Sequence, residues 1–177
     1  MKPAAILVLI LCLAAVGGLV FLYLQSTVTV TALECVAVDA VNQLEAFEAL
    51  RAQLASDTFT GTRFTRDLPE KPEDYLFYTY TVRADNRAML PAELLELQVT
   101  PMAGDVLQIG DLEPHDLPSG QSASLTATIL SPREGHNVRE LTVTYYIWGI
   151  PFSVRLTSRG TAELPVNCLP RFCAARP

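Results

Sequence analysis

The residues of this chain that could do chemistry are few, and their spacing argues against catalysis. Gly120-Gln121-Ser122-Ala123-Ser124 falls one residue short of the G-x-S-x-G elbow that exposes a hydrolase's serine. That elbow needs a strand before the serine and a helix after it, whereas Ser122 opens an alternating segment of strand character. His115 and His136 are the two histidines available as a base, and both sit in loop-like surroundings. Asp105, Asp111, Glu113 and Asp116 gather in GDVLQIGDLEPHD and offer the oxygen ligands calcium takes, without the D-x-D-x-D-G spacing of a calcium loop. A solvated acidic loop is the simpler reading. Paired carboxylates such as Glu93 and Glu96 do acid–base work only in a cleft. No catalytic residue, metal or cofactor is expected, and the chain reads as a non-enzyme.

Of the four cysteines, Cys12 lies in an apolar run and Cys35, Cys168 and Cys173 lie beyond it. Three thiols in an oxidising compartment form at most one disulfide. Cys35–Cys168, Cys35–Cys173 and Cys168–Cys173 all remain open, with Cys35 to a tail cysteine preferred. A zinc site from these three with His115 or His136 matches no ligand spacing. The least bland surface is aromatic. If Tyr145 and Ile147 face a core, alternation turns Tyr146 and Trp148 outward, towards Arg155 on the returning strand and Phe77 on another. Aromatic rings beside arginine are typical anchors of binding faces. The competing expectation is that Trp148 folds over the hairpin end or packs on a helix.

The elements that position these residues begin with Ala4 to Leu24, AAILVLILCLAAVGGLVFLYL, an unbroken apolar run. At about 1.5 Å per residue it matches the roughly 30 Å core of a bilayer. A signal-peptide core is usually shorter, about 7–15 residues, and no A-x-A-like site follows here. A retained transmembrane helix over 4–24 is therefore expected, with Lys2 placing residues 1–3 in the cytoplasm and the rest outside. Ala14 and Gly18 form a small-xxx-small pair suited to close helix approach, though such pairs are common without a partner. The net charge of −6 grows more negative once Lys2 is set aside, which disfavours nucleic acid.

Residues 26–166 are long enough for one domain, followed by a cysteine-bearing tail over 167–177. Ser26 to Leu33 alternates as a strand, and 39–55 carries Val41, Leu44, Phe47, Leu50 and Leu54 at helical spacing. Short strands are then expected over 58–64, 75–84, 95–99, 106–109, 122–130, 141–147 and 150–156, broken by turns such as Leu117-Pro118-Ser119-Gly120. The fold class expected is mainly β: a single antiparallel β-sandwich of about seven strands with one amphipathic helix, after the N-terminal transmembrane helix.

The series YTYTVRADN, then LLELQV, then DLPSGQSASLTATI resembles bacterial immunoglobulin- and fibronectin-like surface modules. The patterns it is similar to are the cell-adhesion-related CARDB-type domain and the water-stress domain of late-embryogenesis-abundant proteins. Asn86 and the Leu117–Gly120 turn carry the match, over roughly Tyr75 to Ser158. The resemblance implies a sandwich fold and a cell-surface setting, and brings no catalytic residue. The expected function is a bacterial, membrane-anchored, extracytoplasmic module that binds or steadies a protein partner at the cell envelope. The alternative is an accessory subunit of a membrane complex, recognised through its transmembrane helix.

Overall fold

The computed structural model describes residues 3–24, 28–110, 115–135 and 138–158, without the side chains of 4, 5 and 22–24. The chain runs α1 (Pro3–Leu24), β1 (Val28–Asp39), a 3-10 turn (Ala40–Gln43) and α2 (Leu44–Ala55). Then follow β2 (Thr62–Arg63), β3 (Tyr75–Asn86), β4 (Ala92–Val99), β5 (Leu107–Gly110), β6 (His115–Leu117), β7 (Ser122–Pro132), β8 (Arg139–Ile147) and β9 (Ile150–Ser158). The apolar run of the sequence is a helix of 22 residues, and its described large side chains from Ile6 to Phe21 are exposed all round. Among the described residues no helix is long and apolar enough to cross a membrane, so the expected span is a helix without being established as a crossing.

Two antiparallel sheets make a β-sandwich, in the orders β1-β3-β7-β5-β2 and β6-β4-β8-β9. Alternation explains the layers. Leu76, Tyr78, Tyr80 and Val82 of β3 and Leu125, Ala127 and Ile129 of β7 point inward to meet Leu95, Leu97, Leu141, Val143 and Tyr145 of the second sheet. The opposite face of the first sheet is covered by α2, whose Phe47, Leu50 and Leu54 close a second core over Phe77, Leu107 and Leu130.

The described residues form nine strands rather than about seven. The strand that was not expected is β6, which lies in what read as an acidic loop, while the strand expected over 58–64 shrinks to the pair Thr62–Arg63 against β5. The helix expected over 39–55 starts later. β1 continues to Asp39 because it pairs with β3 as far as Asp39 opposite Leu76, and a 3-10 turn precedes α2. A bulge between Ala32 and Glu34 reverses the alternation of β1. Val28 and Val30 face the core before it; Cys35 and Ala37 face the core after it.

Candidate functional site

Four chain segments meet at the end of the sandwich where α1 joins. Val28, the fourth residue after Leu24, lies opposite Asn86, and its N–H donates to the Tyr145 hydroxyl at 3.4 Å. Burial raises the Tyr145 pKa, against the opposing pull of that bond. Asn86 is itself buried and pins the following loop. Its amide donates to the Leu90 and Leu117 carbonyls, both at 2.9 Å, while its carbonyl accepts from Ala88 N at 3.0 Å. Ser119 adds a bond to the Ala88 carbonyl at 2.6 Å.

Beside this anchored loop stands the β8–β9 hairpin, closed by Trp148-Gly149 between paired Ile147 and Ile150. Both turn residues have positive φ, 53° and 72°, as a two-residue type I′ turn requires. Tryptophan is an unusual occupant of that position, because its Cβ crowds the backbone in the left-handed region. Leu94 has the same conformation, φ 54°, at a bulge in β4 next to Glu93, the residue that pairs with Tyr146. Its N–H is taken by Asp116 Oδ1 at 3.1 Å. Trp148 is 56% exposed, Leu94 49%, Ile150 45% and Met89 71%, so two bulky apolar residues in strained backbone and two neighbours form an apolar rim on one end of the molecule.

The residues expected to make an aromatic face are only partly together. Tyr146 is on the outer face of β8, moderately exposed, with Trp148 at the tip just beyond it. Arg155 shares that outer face but lies opposite Thr142, about 13 Å along the strand from Tyr146, and its guanidinium faces Glu140 at 3.6 Å. Phe77 is buried beneath α2 and belongs to the other sheet. The reason is that α2 covers the outer face of β3 at its start, so alternation there does not separate core from solvent. Trp148 is exposed at the hairpin tip and is not among the residues packed with α2.

Cys35 is buried between the sheets, and burial pushes its thiol pKa up to about 11 against the opposing influence of Tyr80 and Arg139. Cys168 and Cys173, its expected disulfide partners, lie outside the described residues, as does His136. The Tyr80 hydroxyl approaches both Cys35 and Arg139 without a well-directed hydrogen bond. Its pKa is raised, first by burial.

Arg139 forms a two-pronged ion pair with Asp105, Nη1 to Oδ2 at 2.9 Å and Nη2 to Oδ1 at 2.8 Å, with both side chains almost wholly excluded from solvent. Nη2 also donates to Ser131 Oγ at 3.2 Å, and Asp105 Oδ2 accepts from Met102 N at 2.6 Å. Asp105 is therefore a buried structural group rather than part of a solvated acidic loop; Asp111 and Glu113 lie outside the described residues. A cleft of about 660 Å³ opens nearby, between residues 63–67 and the Pro101–Val106 turn. Two of its three charged groups are already engaged, Asp105 with Arg139 and Arg63 with the carbonyls of Thr65 and Arg66, while Asp67 accepts from the Thr65 hydroxyl at 3.5 Å. No group of three His, Cys, Asp or Glu residues among the described residues could hold a metal ion. Ser122 donates to the Asp85 carboxylate and accepts from Arg83 at 3.2 Å, and these partners hold the Asp85 pKa below the usual carboxylate range.

No protein-family model and no curated protein matches the chain. Among solved structures it is similar to a FixG-related protein from Vibrio parahaemolyticus, at 15% identity and TM-score 0.38, over 50% of this chain and 81% of that one. It is also similar to the cupredoxin domain of amoB from Nitrosocaldus yellowstonii, at 14% identity and TM-score 0.33, over 84% of this chain and 99% of that one. Neither likeness bears on what the chain does.

The rim contains residues that alternation could not select. Met89 and Leu94 are exposed because a loop and a bulge put them outside the β4 register, and no periodic signal marks either. Arg139 was equally hidden, since a charged residue at the start of a strand ordinarily faces water.

Proposed function

We propose that this chain is a membrane-anchored module, with α1 crossing the bilayer and the sandwich on the extracytoplasmic side, where it binds or steadies a protein partner without turnover. The observation that carries this reading is α1 itself. Its described side chains are apolar on every side and pack on nothing in the domain, a state that water disfavours and lipid accommodates. As a helix at about 1.5 Å per residue, the apolar run Ala4 to Leu24 would match the roughly 30 Å hydrocarbon core. Lys2 supports a cytoplasmic N-terminus. The two antiparallel sheets are compatible with an immunoglobulin- or fibronectin-like surface module.

The test is cross-linking in intact cells, with residues 4–24 exchanged for an unrelated apolar helix. The module reading expects the same neighbours to be captured by the exchanged chain. Loss of those neighbours on exchange favours an accessory subunit recognised through α1, a reading to which the small-xxx-small pair Ala14 and Gly18 is suited. Recovery of the chain in the soluble fraction overturns both.

A further inference from the structure

The apolar rim and the α1 junction occupy the same end of the sandwich. We propose that this rim, formed by Trp148, Ile150, Leu94 and Met89 with Tyr146 at its edge, dips into the lipid headgroup layer of the bilayer that holds α1; the inference rests on the anchoring proposed above. Chain length makes the first argument. Four steps from Leu24 to Val28 span at most about 14 Å, so the start of β1 cannot stand far from the end of the helix. The second argument is position. Val28 is bonded to Tyr145, and Ile147 at the root of the hairpin turn is two residues, about 7 Å, further along β8.

The chemistry of the rim suits lipid rather than a protein socket. Tryptophan and tyrosine favour the headgroup region because each has an apolar body and a polar edge. Trp148 and Leu94 hold their left-handed backbone at the outermost points of a turn and a bulge, where nothing in the domain covers them. The charges that share this end, Arg87, Glu93 and Asp116, are mixed in sign, so attraction to anionic lipid is not required and zwitterionic lipid suffices. A depth of about 5–10 Å, that of the apolar face of an interfacial helix, would take in the turn and leave the strands in water.

Trp148 is the only tryptophan, so its fluorescence reports this end alone. The full chain is reconstituted into vesicles of phosphatidylcholine, with and without bromine on the acyl chains near the glycerol, and floated on a density gradient. The expected result is co-flotation, a blue-shifted Trp148 emission, loss of that emission with brominated lipid, and weak quenching by aqueous iodide. Met89→Ser with Ile150→Ser, at exposed positions, should reduce the bromine quenching and leave flotation unchanged. A chain that floats while Trp148 stays open to iodide and indifferent to bromine overturns the proposal and spares the anchor. Shielding from iodide without bromine quenching also overturns it, because a second copy or a protein partner then covers the rim. Failure to float overturns the anchoring, and the rim proposal with it.

Discussion

Removing either half of the Arg139–Asp105 pair should cost far more than removing both. In Asp105→Leu the guanidinium keeps only Ser131 Oγ at 3.2 Å, its Nε already lacks an acceptor, and Met102 N–H loses a 2.6 Å bond. In Arg139→Met the carboxylate keeps that single N–H. Each change leaves a charge in a site with side-chain exposures of 1% and 0%, so water cannot compensate. Breaking a buried pair from one side costs about 3–5 kcal/mol, a large part of the roughly 5–15 kcal/mol that holds a domain. The double variant removes both charges and puts apolar volume in their place. It should lie within about 2 kcal/mol of the parent, with the orphaned Met102 N–H the main remaining loss. The assay is urea unfolding of the full chain in mild detergent, followed by the circular dichroism of the strands. At about 1–3 kcal/mol per molar urea, each single change lowers the midpoint by about 2 M while the double change moves it far less. Singles that cost under about 1 kcal/mol, or losses that simply add in the double, would refute the reasoning, because the two residues would then not be coupled in a dry site.

Two further outcomes follow from the packing. The Cys35 thiol is raised to about 11 by burial, so above its ordinary value near 9 the unfolded chain releases this proton while the folded chain retains it. Stability attributable to Cys35 is thus fully present below pH 9 and lost up to pH 11, by about 2–3 kcal/mol; Cys35→Ala should flatten that part of the profile, and parallel profiles would show that Cys35 does not titrate there. Phe47 is fully buried, with its ring centroid 6.1 Å from that of Tyr75, so Phe47→Ala should cost about 3–5 kcal/mol. Hydrogen exchange should then quicken in α2 before β3 and β8, since α2 covers the outer face only; equal loss of protection in all three would count against two separate cores.

How much was legible varies with the kind of signal. Strands with one wet face, such as β8 and the first half of β7, announce themselves by alternation, and so did the outward placement of Tyr146. β3 was legible as a strand but not in its surroundings. Phe77 read as surface because the helix that buries it is distant in sequence and its docking leaves no mark on β3 itself. β2 and β6 are too short to show a period, and they exist because neighbouring strands offer unpaired edges.

The amino-acid sequence by itself determined that the chain has one apolar helix near its start and a mainly β domain after it. Those properties are local, written in runs and periods that neighbouring residues carry together. Only the tertiary structure decided that Cys35 faces the core, that Asp105 meets Arg139, and that Met89, Leu94, Trp148 and Ile150 share one end with the root of α1. Bulges, left-handed residues and loop ties produced those arrangements. Each shifts register or direction by a residue, and one residue is enough to exchange the inside of a sheet for the outside.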